Sequence, residues 1–482
     1  MQNQKYRSPV VVVLGHVDHG KTTLLDNIRK SNVAGKEVGA ITQSIGAYQV
    51  KIPITGYHTD TITFIDTPGH QVFSQLRLRG AQVADIAILI IDGVDSVMPQ
   101  TIESIAHIKQ ADIPFIVAVN KTDLPSANIE KVKKDLLKHE VLVEGMGGKI
   151  ALIPISAKTG KGVNDLLEAI LYISSNRGYT YDPSAEPQIY VIETQKLKSG
   201  PSVSCIIKEG QISVGNIIFN ADTPVKIKAL IDDLGKNIDT AIPSMPFGIL
   251  GFNQLPEVGS LLSIKPVNQK QNIIKQPIIT DSANFFAEEE KKLNIILKTD
   301  SQGSLEAIDN ALVDNKKLEF ILKSVGEINK SDIFLAKIAK ALIIGFAIKT
   351  DKNTLELADQ EKVIIKTYSI IYELLDELTE VSRLSKEKEE REKSIKGEAK
   401  IIASFVIEGE RIAGLKVTKG KISTDDKLEI FRGQKLLLER DIASIKQKAK
   451  HVKEVKKNED CGIVFSPPFD FQVGDVVKSY SI

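Results

Sequence analysis

The sequence predicts a multidomain chain of the α/β class with added β-barrels, and three observations predict it. Up to about Gly178, short and near-continuously apolar runs alternate with amphipathic stretches. In two later segments the pattern changes to brief β-type runs punctuated by Gly, Asp and Asn. Between them lies a second, shorter alternation of strand and helix signals, followed by a helical stripe. With 482 residues, at about 100–200 residues per domain, roughly three to five domains are expected, each able to bury a core.

The elements follow in order. Val10–Leu14, Ile62–Ile65, Ile86–Ile91, Phe115–Val119 and Ile150–Ile155 are apolar runs of strand length. Strands covered on both faces read this way. Amphipathic stretches such as Thr101–Gln110 and Ile129–His139 separate them, so residues 1–178 are expected to form a mostly parallel, doubly wound domain. Tyr179–Gln188 carries two prolines without periodicity and reads as a linker. Residues 186–267 hold Val203–Ile207, Ile217–Phe219, Val225–Ile231 and Ile249–Phe252 between turns, the pattern of a small β-barrel. Pro266–Lys291 reads as a linker or exposed helix. Residues 290–369 alternate again: Leu293–Lys298, a helix from about Ser304, Leu318–Val325, Ala341–Ile348. In 370–394 the residues Ile371, Leu374, Leu375, Leu378, Val381 and Leu384 recur at steps of three and four, one face of a helix. The charged run Lys386–Lys393 then extends it as a spacer. Residues 395–482, with turns at Gly409, Gly420, Asp425-Asp426 and Gly433, read as a second barrel.

Composition excludes several classes. Lys+Arg is 63 and Asp+Glu 62, a net charge of +1, which fits neither a uniformly basic nor an acidic disordered protein. Two distant cysteines, Cys205 and Cys461, rule out a disulfide scaffold and favour a reducing compartment. No run reaches membrane-span length. The short polar start Met1–Ser8 has no signal-peptide core, which favours a cytoplasmic location and leaves an organellar stroma or matrix open.

The motifs carry the chemistry. Gly15-His16-Val17-Asp18-His19-Gly20-Lys21-Thr22 fits G-x-x-x-x-G-K-[ST] between a strand and a helix-like run, Thr23–Arg29. Its glycines let backbone N–H groups face phosphates, Lys21 neutralises charge, and the Thr22 hydroxyl can ligate Mg²⁺. Asp66-Thr67-Pro68-Gly69 follows the next strand. Alone it could be a turn; here Asp66 can orient Mg²⁺ through water, and the Gly69 N–H can meet a γ-phosphate. Asn120-Lys121-Thr122-Asp123 ends a further strand. The Asp123 carboxylate can accept two parallel hydrogen bonds from a ring N–H and an exocyclic amine, which guanine offers and adenine does not. Ser156-Ala157-Lys158 can reach the base oxygen through backbone N–H groups. The four motifs, in this order, select GTP over ATP. Ala40-Ile41-Thr42 lies in a stretch poor in secondary-structure signal, where Thr42 can reach Mg²⁺ from a mobile loop or be a plain surface threonine. His70 can position water beside the γ-phosphate or be structural.

These strings resemble the bacterial and organellar translation initiation factor two, a translational GTPase family. The similarity runs from about Arg7 to Ile482. GHVDHGKTTLLD at Gly15–Asp26, ITQSIGAY at Ile41–Tyr48, DTPGH at Asp66–His70 and NKTD at Asn120–Asp123 carry it. DSQGSLEAI at Asp300–Ile308, IIGFAIKTDKN at Ile343–Asn353, IIYELLDEL at Ile370–Leu378 and ASIKQKAKHVKEV at Ala443–Val455, with Cys461-Gly462-Ile463, separate it from elongation factors. The resemblance implies an order of GTPase domain, barrel, α/β/α domain, long helix and terminal tRNA-binding barrel. It implies GTP and Mg²⁺ as ligands, and the 30S and 50S subunits, formylmethionyl initiator tRNA and other initiation factors as partners of a monomer, with no membrane or DNA. GTP hydrolysis would be triggered by the ribosome's sarcin-ricin loop, with His70 positioning water, gated by Val17 and Ile41. Lys446, Lys448, Asp460, Cys461 and Gly462 would hold the acylated tRNA end.

Three departures stand out. The family has a long, charged N-terminal region, whereas here the GTPase pattern begins almost at once. In the terminal barrel Gln447, Lys448 and Ala449 stand where the family has Arg, an aromatic and Lys, and Asp460 stands for Glu. That points to a looser methionyl pocket, or one tuned to an unformylated initiator. Lys196–Pro201 is a shortened loop in place of a basic Gly-rich turn. The alternatives are an elongation-type ribosomal GTPase, disfavoured by the helix feeding a second barrel, and a non-catalytic RNA-binding module, disfavoured by the complete motifs.

Overall fold

The computed structural model describes residues 4–30, 42–43, 45–197, 200–266, 292–407, 410–433, 435–448 and 450–480. Ala40, Ile41, most of the expected linker after Pro266, two residues of the Lys196–Pro201 loop, Gly409 and Ala449 lie outside them. By backbone contacts the chain divides into Met1–Leu378 and Thr379–Ile482. Among the described residues no helix is long and apolar enough to cross a membrane.

The first unit opens with a six-stranded sheet in the order Gly46–Lys51, Thr61–Asp66, Val10–Gly15, Ile86–Asp92, Phe115–Asn120, Leu152–Pro154. Five strands are parallel; Gly46–Lys51 runs antiparallel at one edge. That edge strand is absent from the sequence reading, because GAYQVK lacks a continuous apolar run and is only half-buried. Val10–Gly15 is buried at every residue. Its side chains alternate between two cores, Val11 and Val13 on one face and Val10, Val12 and Leu14 on the other. The strand leads to Thr61–Asp66 on one side and Ile86–Asp92 on the other, so the chain reverses its direction of growth there. Ligands of open α/β sheets bind at such a point, beyond the strand ends.

Residues 186–266 form an antiparallel path in the order Asn237–Ile238, Ala229–Asp232, Pro246–Leu250, Gly200–Ile207, Ile189–Leu197, Leu261–Leu262, beside two small hairpin sheets. The first of the two barrels expected is therefore not closed by its ladder among the described residues. Many of these strands are only two to five residues long, and turns at Gly215, Gly235 and Gly251, all with positive φ, interrupt the pairing. A third sheet, Leu318–Val325, Leu293–Thr299, Leu342–Phe346, Ile365–Tyr368, is parallel throughout. Its first helix is Gln302–Leu312, capped by the Ser301 hydroxyl.

The helix Ile371–Lys393 starts with Ile371, Leu374 and Leu378 fully buried. Val381 and Leu384, expected on the same face, are 37% and 51% exposed, because the core they would extend ends at Leu378.

The second unit is a closed antiparallel barrel. Its order is Ile395–Ile407, Val476–Tyr480, Lys427–Arg432, Lys435–Gln447, Asp460–Ser466, Glu410–Ser423 and back to the first strand. Alternate residues such as Ala399, Ile401, Leu415, Ile430, Ile445, Ile463 and Val477 fill the interior.

Glu193 joins two parts of the first unit. It is 1% exposed, and its Oε1 accepts from the N–H groups of Thr194 at 2.9 Å and of Gly303, in the first turn of Gln302–Leu312, at 3.2 Å. Burial pushes its carboxyl up to about 7, against these N–H groups. A raised carboxyl contributes most below its unfolded value near 4.5 and loses that contribution as pH rises through 7. Thermal unfolding of Glu193→Gln should therefore match the parent at pH 5 and exceed it at pH 8, by an amount on the order of 2–3 kcal/mol. Equal stability of the two proteins at both pH values would refute this.

Candidate functional site

The site lies beyond the end of Val10–Gly15. Gly15 and Gly20 both have positive φ, and a Cβ on them would meet Ile90 O at 2.4 Å and Asn120 Nδ2 at 2.3 Å. Gly20 starts the helix Lys21–Arg29 without a side-chain cap, so the first N–H groups of the helix receive no side-chain acceptor there. Lys21 is 6% exposed, and its Nζ donates to the carbonyls of Gly15 at 3.1 Å and His16 at 2.5 Å. Burial lowers its ammonium to about 8, against the attraction of Asp66. His19, whose Nδ1 accepts from the Asp92 N–H at 3.2 Å, is pushed down to about 4, by burial first and then by His16. His16 is lowered by burial and by Lys21. Three basic groups thus lose hydration in one place. An anion placed among them would reverse that cost.

The γ-phosphate side is built from three segments. The Thr22 and Thr42 hydroxyls are 2.9 Å apart. The Val17 N–H, which the sequence reading turned toward phosphate, donates to Gln100 Oε1 at 3.0 Å. A Cβ on Gly69 would lie 2.4 Å from Lys21 Nζ and 3.2 Å from Val17 Cα, so a larger residue there would displace the Lys21 ammonium from its present place. Arg77 is fully buried and holds that loop: it donates to the carbonyls of Pro68, at 3.0 Å, and His70, and pairs with both oxygens of Glu103. His70 is half-buried and lowered to about 4, by burial and then by Lys21. Its Nδ1 meets the Tyr372 hydroxyl.

On the base side the structure revises the sequence reading. Asn120, 2% exposed, donates from Nδ2 to His19 O at 2.8 Å and accepts at Oδ1 from the Ala157 N–H at 2.8 Å. The Ser156 N–H goes to Lys161 O at 2.9 Å. These N–H groups, assigned to the base oxygen from sequence, are spent inside the protein because buried donors must be paired. Lys121 pairs with Asp92 at 2.6 Å. Asp123 is exposed, and its carboxyl is lowered by a hydrogen bond from Ser156, aided by Lys158 and Lys121. It remains an ionised acceptor, and Lys158 flanks it with positive charge. Asp18 is exposed at the loop tip.

The residues proposed for a tRNA end divide. Lys446 lies directly across from Gly462 on paired strands. Lys448 sits at the tip of a tight hairpin with φ +46°, exposed, beyond Gln447 paired with Lys450. Asp460 is exposed. Cys461 is the exception: it is 6% exposed and packs in the barrel core, its thiol pushed up to about 11 by burial. Alternation along Asp460–Ser466 sends Cys461 inward. It is therefore a core side chain and not an open pocket wall.

Sequence reasoning missed Arg77, Gln43, Gln100 and Tyr372. No motif signals Arg77 or Gln100, while Gln43 and Tyr372 lie inside ITQSIGAY and IIYELLDEL, strings that carry the resemblance without assigning either side chain a role.

A phosphate loop at the switch point of a doubly wound sheet, with an acceptor carboxylate at the base side, defines a P-loop protein of the GTP-binding type. Residues 6–175 match the Elongation factor Tu GTP binding domain, residues 186–264 Elongation factor G domain 2, and residues 268–379 Translation-initiation factor 2. The chain is 38% identical over 501 residues to Translation initiation factor IF-2 of Thermus thermophilus, covering 99% of this chain and 87% of that protein. It is 39% identical over 498 residues to the Lachnospira eligens protein of the same name, covering 98% of this chain and 52% of that one. GDP-bound aIF5B from Aeropyrum pernix aligns over 98% of this chain and 92% of its own, at 25% identity and a TM-score of 0.46. The chain belongs to the translation initiation factor IF-2 family. It spans about half the length of the Lachnospira eligens relative.

Replacing Asp123 by Asn turns one acceptor into a donor. Competition binding should show weaker GTP binding, by about tenfold or more, and a shift of preference toward xanthine nucleotide. Unchanged guanine preference would remove Asp123 from the base site.

Proposed function

We propose that the chain is a ribosome-stimulated GTPase that binds formylmethionyl initiator tRNA, places it on the small (30S) ribosomal subunit and promotes joining of the large (50S) subunit, in company with other initiation factors. The observation that carries this reading is the convergence of Lys21, Thr22, Thr42 and the Asp66–His70 loop at one strand end, in a chain similar to the family along nearly its whole length. In this reading the chain acts as a monomer in the cytoplasm. It has five segments: a GTPase domain 1–178, a barrel-type module 186–267, an α/β/α domain 290–369, a linker helix 370–394 and a tRNA-binding barrel 395–482.

In the mechanism proposed, GTP phosphates lie against the Gly15–Lys21 loop and the start of the helix Lys21–Arg29. Lys21 releases its two backbone carbonyls and neutralises the β/γ charge. The paired hydroxyls of Thr22 and Thr42 are hard oxygen donors of the kind Mg²⁺ takes. With Asp66 acting through water they would hold that ion, which supplies charge neutralisation at the phosphates. Asp123 reads the guanine edge, and Asn120 keeps the base-side loop at its distance from the phosphate loop. Arg77 fixes the backbone of the Asp66–His70 loop, so that the Gly69 N–H and the His70 ring meet the γ-phosphate and the attacking water. The resemblance gives Val17 and Ile41 as the gate of that histidine; Ile41 lies outside the described residues.

His70→Ala should leave the Kd for GTP within about twofold, while ribosome-stimulated single-turnover hydrolysis falls by at least roughly a hundredfold, because water positioning acts in the transition state. A variant that hydrolyses at the parental rate would dismiss His70.

The basic hairpin is the proposed RNA contact. Lys446–Lys457 holds six lysines and one acid, a net +5, and Lys448, Lys450, Lys453, Lys456 and Lys457 are exposed. Phosphate contacts of this kind position RNA without choosing its sequence. Lys448→Ala combined with Lys450→Ala should weaken charged and uncharged initiator tRNA alike and reduce the slope of log K against log salt by about two. An effect confined to formyl discrimination would contradict this.

A further inference from the structure

Two side chains of the γ-phosphate side reach a segment 300 residues away in sequence. Gln43, next to Thr42, uses both ends of its carboxamide: Nε2 donates to Ser369 O at 2.7 Å, and Oε1 accepts from the Ile371 N–H at 3.0 Å. His70 packs edge-on against the Tyr372 ring, with centroids 4.4 Å apart, and its Nδ1 bonds the phenol oxygen. The start of the helix Ile371–Lys393 therefore props both the loop that carries Thr42 and the loop that carries His70. The Thr42 hydroxyl stands beside that of Thr22 in the same arrangement, so the prop coincides with an assembled site.

The ring nitrogens of His70 are not equivalent. Nε2 is buried without a protein partner among the described residues. A phenol can donate to Nδ1 or accept from it. If it donated, the ring proton would sit on Nε2 as a buried N–H without an acceptor, facing the positive charge of Lys21 and Arg77. Orphaned buried N–H groups are rare, and cations favour a lone pair over an N–H. Tyr372 is 36% exposed, and a phenol that accepts at its oxygen can still turn its own proton elsewhere.

We propose that Tyr372 is a positioning residue for GTP hydrolysis: its hydroxyl accepts the Nδ1 proton of His70 and so leaves Nε2 unprotonated, ready to accept a hydrogen bond from the attacking water. The proposal rests on the reading of His70 given above. The arrangement parallels the way a third group fixes the tautomer of a catalytic histidine in hydrolytic triads. Gln43 is the second half of the prop and holds the neighbouring loop without touching the histidine.

Tyr372→Phe keeps the ring and removes only the hydroxyl. Ribosome-stimulated single-turnover hydrolysis should slow about three- to tenfold, the factor expected for one hydrogen bond, with the Kd for GTP unchanged. In a His70→Ala background the same change should have no further effect. In ¹⁵N-histidine-labelled protein, His70 should appear as the Nδ1–H tautomer and become a mixture in Tyr372→Phe. Gln43→Ala should also slow hydrolysis and leave the tautomer intact. A Tyr372→Phe protein at or above the parental rate, an undiminished effect in the His70→Ala background, or an Nε2–H tautomer in the parent would each overturn the proposal. If His70→Ala itself hydrolyses normally, the reading of His70 fails instead, and Tyr372 loses its role with it.

Discussion

One buried carboxamide sets the distance between the two halves of the nucleotide site. Asn120 reaches from the end of its strand to the carbonyl of His19 in the phosphate loop and to the N–H of Ala157 in the base-side loop. Both groups it serves are in the interior, where an unmade hydrogen bond costs about 1–3 kcal/mol. The close approach at Gly20 follows from it, since any Cβ there would collide with the Asn120 amide. Phosphate loop, base-side loop and central sheet are thus tied together through one side chain.

The loop of His70 is held by a different device. The backbone of the Asp66–His70 loop is tied to Arg77, a fully buried cation balanced by Glu103. A buried ion pair is weak evidence of stability but strong evidence of geometry, because breaking it leaves an uncompensated charge. The same loop approaches Lys21 so closely that a side chain at position 69 would push its ammonium aside. Lys21, His19 and His70 all lie below their ordinary values because burial strips their hydration. The site is built to be completed by negative charge, and its basic groups are arranged in advance of it.

The terminal barrel works by other means. Its strands form a closed ladder around an apolar interior, and lysines crowd an exposed hairpin at 446–450. Lysines there act at long range and with little geometric demand. Cys461 belongs to the interior and not to that surface, while residues that alternate with it, such as Asp460, stand on the outer face.

The sequence by itself determined the strands that are buried on both faces, since Val10–Leu14 and Ile86–Ile91 can be nothing else at that apolarity and length. It also marked the phosphate loop and the Asp123 carboxylate, since the residues of each motif lie close together in the chain. The half-buried edge strand Gly46–Lys51 left no such periodic mark. Only the tertiary structure decided which motif groups face a ligand and which face each other. Asn120 and Lys121 belong to one GTP-binding motif, yet one braces two loops and the other pairs with Asp92. It also decided that Cys461 points inward, and that Gln43 and His70 meet a helix that begins more than 300 residues later. Such contacts depend on which surfaces the folded sheets bring together, and local periodicity holds no record of a partner that distant in the chain.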